Sequence, residues 1–168
     1  MIKRRISTVI IVILGFLLQT TIFQSLKLAN VAPNILLIIT VCYAYMRGRT
    51  SGVIIGFFCG LLLDMMYGDV IGLYAFILMT IGLLCGYCQK IYFTDNYILP
   101  CTLVAISNFI YGLFCFVTGF LVRGRLTFGY SFTKIILPEM VYTLLVSVVI
   151  YHFLNMLEKV VSEKREEA

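Results

Sequence analysis

Tryptophan is absent from the 168 residues, histidine occurs once, and only 12% of the chain is Asp, Glu, Lys or Arg. Each shortage removes a class of protein. With 61% of residues hydrophobic and a mean hydropathy of +1.02, the chain has too little polar surface to cover a water-soluble globule. The single histidine, His152, gives little material for a histidine metal cluster or a Ser-His-Asp triad. Walker and dinucleotide loops are missing, because the glycines recur at helix-packing spacings. The net charge of +5 is split into short basic clusters between apolar segments, which mark membrane topology rather than a nucleic-acid surface. Six cysteines all fall inside apolar segments and are read as reduced packing residues, not a disulfide framework. Cys85 and Cys88 have the spacing of a thiol oxidoreductase, yet they stand at the end of a membrane helix rather than at a βα turn. Nothing in the chain predicts an enzyme.

What is present centres on GVIIGFFCGLLLDMMYGDVIG, from Gly52 to Gly72. Gly52, Gly56, Gly60 and Asp64 recur every fourth residue, so one helix face carries a smooth groove ending in a carboxylate. In lipid such a groove lets another helix approach closely, and an aspartate at its head must face protein or trapped water. Gly68 and Gly72 bracket Asp69 and predict a tight turn followed by the start of the next helix.

In chain order, the sequence predicts one membrane domain with spans over about 6–26, 33–46, 51–67, 70–88, 97–122 and 135–157. The first apolar run lacks a small-x-small cleavage site and is read as an uncleaved span. The second is short enough to be re-entrant, and charge arbitrates. If it spans, nine basic residues lie on the cytoplasmic side against four outside; if not, the split is six against seven. Spanning is therefore favoured, with both termini cytoplasmic. Within the basic loop from Arg123 to Lys134, Leu126, Phe128, Tyr130 and Phe132 alternate with Thr127, Gly129, Ser131 and Thr133, a strand-like or interface-lying pattern. In the last span Glu139, Thr143, Ser147, Tyr151 and Asn155 form a polar stripe that must face protein. The charged tail from Glu158 is expected to fray. Gln19, Asn34, Asp64 and Glu139 fall at similar depth in the outer half, predicting either a polar pocket or a buried hydrogen-bond cluster.

Pro33-Asn34 opening the second span, followed by Gly56, Gly60, Asp64, Gly68 and Gly72 in a six-span chain of this length, resembles the MreD family of bacterial rod shape-determining membrane proteins. The resemblance covers nearly the whole chain in topology and about forty residues in motif. It implies a non-enzymatic component of the complex that builds lateral peptidoglycan, without cofactor. The implied partners are the single-span scaffold MreC, the actin-like MreB, the glycosyltransferase RodA and a class B penicillin-binding transpeptidase. It also implies an all-α fold similar to the substrate-binding subunits of energy-coupling-factor transporters. Ala32 stands where some relatives carry arginine, so no role of that basic residue transfers. Gly52, Gly56 and Gly60 are the candidate groove for a partner's membrane helix. The alternative is a vitamin-binding transporter subunit, which the outer polar cluster would suit. Against it, residues 6–26 contain no alanine, the usual small-residue docking face of such subunits, and tryptophan for ring stacking is absent.

Overall fold

The computed structural model describes residues 2–25, 33–67, 72–91, 98–123 and 137–166. Apart from short caps, these stretches are helical: α1 (Ile2–Ser25), α2 (Ile35–Arg47), α3 (Arg49–Tyr67), α4 (Leu73–Ile91), α5 (Ile98–Arg123) and α6 (Leu137–Glu166). Gly68, Asp69 and the alternating segment at 124–134 lie outside the described residues. The last helix continues nine residues past the expected end at Leu157, because EKVVSEKRE consists largely of strong helix formers.

The bundle is built around its shortest helix. With 13 residues, α2 is about 20 Å long, and it is apolar on every side. A helix of that composition must be enclosed. Every residue from Ile35 to Tyr45 is buried, and all five other helices pack against this one.

The outer faces reverse the polarity of a soluble protein. Phe58, Met65, Ile106, Leu145 and Val149 are exposed, while Thr40, Asn108, Thr143 and Ser147 are buried. An apolar surface this extensive requires an apolar solvent. Three stretches, Arg49–Met66, Ile98–Thr118 and Pro138–Leu157, are long and apolar enough to cross a membrane by length and composition. Among the residues whose side chains are described, the apolar stretches of the other helices are shorter: Ile6–Thr21, Ile35–Arg47 and Leu73–Cys88.

Two glycines make the sharp junctions. Gly48, at φ 84° and ψ −176°, is the only residue between α2 and α3, a backbone region essentially closed to side chains. Its N–H bonds to the Ala44 carbonyl and its own carbonyl accepts from the Gly52 N–H, so it ends one helix and opens the next. Gly72, at φ 99°, caps α4 by accepting the Phe76 N–H.

Candidate functional site

The four-residue glycine spacing places α3 and α4 backbone to backbone. A Cβ added at Gly52 would lie 2.6 Å from Ala44 Cβ and 3.0 Å from the Gly82 carbonyl carbon. At Gly56 it would meet the Leu78 carbonyl carbon at 2.9 Å, and at Gly60 the Ala75 nitrogen at 2.7 Å. The α4 glycines answer in kind, Gly82 against Gly52 and Gly86 against Arg49. As α3 advances one step, α4 retreats by the same step, giving an antiparallel seam with no side chain between the helices. The groove formed by Gly52, Gly56 and Gly60 is thus filled by α4 of the same chain.

Asp64 closes that seam at its far end. Its side chain is buried, and its two carboxylate oxygens accept the N–H groups of Tyr74 and Ala75, each at 3.0 Å. These are orphan donors of the first turn of α4, ordinarily held by an N-cap side chain. The N-cap here is Gly72, which has none. Asp64 supplies the missing acceptor from ten residues upstream, and its negative charge meets the positive end of the α4 dipole.

Gln19 and Asn34 perform the same task for α2. Asn34 is its N-cap, with Oδ1 accepting the Leu37 N–H at 3.1 Å, and Gln19 Oε1 reaches from α1 to accept the Leu36 N–H at 3.1 Å. The Asn34 N–H in turn donates to Thr143 Oγ1 of α6 at 3.3 Å. Buried Pro33 precedes this junction. Three elements therefore meet at one helix end, which would otherwise bury unsatisfied donors at a cost of about 1–3 kcal/mol each.

Glu139 stands elsewhere, in the first turn of α6, where its electrostatic neighbours are Tyr111 and Cys115 of α5. Tyr111 faces Tyr74 with ring centroids 6.0 Å apart, and Tyr74 is the residue whose N–H Asp64 holds. Gln19 and Asn34 thus share one site, Asp64 serves a second, and Glu139 reaches the second only through two aromatic rings. Of the polar stripe on α6, Thr143, Ser147 and Tyr151 turn inward and are buried.

Other residues emerge only in three dimensions. Gly15 of α1 lets Ile39 of α2 approach, and Arg47 donates to Thr8 Oγ1 while lying 4.5 Å from the Tyr43 ring centroid. Arg47 registers in the sequence only as a topology marker, and Thr8 carries no signal. Asn108 Oδ1 is buried without a hydrogen-bond partner among the described residues. The six cysteines are free, His152 is exposed on α6, and no group of three or more His, Cys, Asp or Glu side chains is placed to hold a metal among the described residues.

No curated protein and no solved structure matches the chain. Residues 2–161, nearly its whole length, match the family described as rod shape-determining protein MreD. The glycine seam, the Asp64 cap and the Pro33-Asn34 junction are the motif residues by which that likeness is read in the sequence, and the chain belongs to the MreD family of membrane proteins that determine rod shape.

Proposed function

We propose that this protein is a non-enzymatic, six-span component of the cell-elongation complex in the bacterial cytoplasmic membrane, with both termini in the cytoplasm. In this reading it binds the single-span scaffold MreC and, with MreB, RodA and a class B penicillin-binding transpeptidase, helps direct lateral peptidoglycan synthesis. The observation that carries the reading is the family match over residues 2–161. The geometry supports a scaffold role in a second way. The buried polar groups Gln19, Asn34, Asp64 and Thr143 are engaged in holding helix ends. With α4 seated on the glycine face, a partner helix meets this protein on its lipid-facing surface, where α5 and α6 present Ile106, Leu113, Leu145 and Val149.

The test is native mass spectrometry of the full chain purified gently from its host's membranes. A co-purifying single-span protein with an extracytoplasmic domain is the expected result. An assembly containing an ATPase and a bound small molecule would replace the scaffold reading with the transporter-subunit one.

A further inference from the structure

Between α1 and α3 the helix packing leaves an open cleft of about 650 Å³. Its two ends differ in chemistry. Near the α2–α3 junction the lining is Thr8, Arg47, Thr50 and Ser51; from there toward Met65 every lining side chain is aliphatic, aromatic or a thioether. The apolar run from Ile54 to Met65 is about 16 Å long at 1.5 Å per residue. Arg47 is held at the polar end by its bond to Thr8 and its contact with the Tyr43 ring, so a guanidinium is fixed at the mouth of a hydrocarbon-lined slot.

Volume and lining decide between occupants. A 20-residue helix about 10 Å across displaces about 2,400 Å³, several times the cleft. Helix docking in lipid also favours small residues along the contact. Among its described lining residues the cleft has no glycine or alanine, and its serine and threonines are confined to one end. A flexible hydrocarbon chain needs no such stripe, and the volume falls within the roughly 300–1,000 Å³ of ordinary ligand sites. At the polar end, a guanidinium with nearby hydroxyls is suited to a phosphate, which arginine engages through a planar fork of donors.

We infer that this cleft holds one anionic glycerophospholipid of the surrounding bilayer, with its phosphodiester at Arg47, Thr50 and Ser51 and an acyl chain along Ile54, Phe58 and Met65. Among the described residues the mouth carries one cation, Arg47, which suits a headgroup of net charge −1. Access is lateral, since Ile54 and Phe58 are more than half exposed and Met65 is 83% exposed. The main contact of α1 is with α2, so the lipid also bridges α1 to α3. This assignment is independent of which protein partner the molecule binds.

The test uses the full chain, delipidated in detergent and then offered phosphatidylglycerol or phosphatidylcholine with identical acyl chains, with retained lipid counted by native mass spectrometry. One phosphatidylglycerol is expected to be retained about tenfold more tightly than phosphatidylcholine, the effect of one charge-assisted contact. Arg47→Ala should erase that preference while still retaining a lipid. Because Arg47 also holds Thr8, a second variant, Ile54→Trp, obstructs the acyl-chain path from an exposed position and should weaken retention of both lipids severalfold at an unchanged melting temperature. Equal retention of the two lipids by the unaltered protein, or undiminished retention by Ile54→Trp, overturns the proposal. Tighter retention of an isoprenyl phosphate than of phosphatidylglycerol overturns the glycerophospholipid assignment.

Discussion

The α3–α4 pair and the α5–α6 pair are both antiparallel helices in one bundle, and they are held together in different ways. In the first, backbone rests on backbone along four-residue steps, and a carboxylate from one helix ends the other. In the second, the apolar windows are only 28% and 22% buried, against 39% for α3. The first contact is the most extensive in the molecule. A seam without side chains has no slack, since any added atom displaces main chain. A contact made by large side chains can repack. The rigid half of the molecule is thus the glycine hairpin, and the adaptable half is the pair that turns most of its surface to lipid.

Substitutions can break this contrast in a graded order. Gly56→Leu should be the most damaging, because its Cβ alone would stand 2.9 Å from the Leu78 carbonyl carbon. A loss of about 3 kcal/mol or more is expected, read as the collapse of thermal stability in detergent. An unchanged melting temperature would mean that the seam is not as close as described. Asp64→Leu comes next, leaving two donors of α4 without acceptors at a cost of about 2–4 kcal/mol. Asp64→Asn should cost about half as much, because one amide oxygen still accepts while the amide NH2 turns a donor toward a donor. Equal severity for the two would show that charge, not acceptance, is what α4 requires.

The α2 cap is the intermediate case. Gln19→Leu removes the acceptor for the buried Leu36 N–H and should lower stability by about 1–2 kcal/mol, with protection from amide exchange lost first at residues 35–37. At the other extreme, Leu145→Ala on α6, where the side chain is 68% exposed, should change stability by less than about 0.5 kcal/mol. If position 145 is as sensitive as position 56, the contrast between the two pairs fails.

Much of the hairpin is legible in the sequence, because a spacing of four survives translation into a helix face: Gly52, Gly56, Gly60 and Asp64 do lie on one side. The identity of the helix that fills the face is not legible there. Groove residues look the same whether the neighbour is ten residues downstream or in another protein. Equal depth likewise brings Gln19 and Asn34 to one helix end, but depth says nothing of rotation about the bundle axis, and rotation sends Glu139 toward Tyr111 instead. The cap function of Asp64 could be suspected from Gly72, an N-cap without a side chain, only once α4 is known to begin at Leu73. Thr8 and Arg47 are 39 positions apart on different helices, and no local pattern couples them.

The enclosure of α2 has a consequence for how the chain is made. A helix of about 20 Å is shorter than the roughly 30 Å hydrocarbon layer, and this one has no face suited to lipid contact once the bundle is complete. Alone, it is a poor candidate to leave the insertion machinery and wait in the bilayer. Gly48 joins it to α3 with no intervening loop, so the two are expected to enter as one unit; α1, made earlier, offers the first wall through Gly15 and Gln19, and α3 with the α4 that its Asp64 caps supplies the next ones. Lengthening the Gly48 junction should therefore lower the yield of inserted protein before it alters any contact in the finished fold.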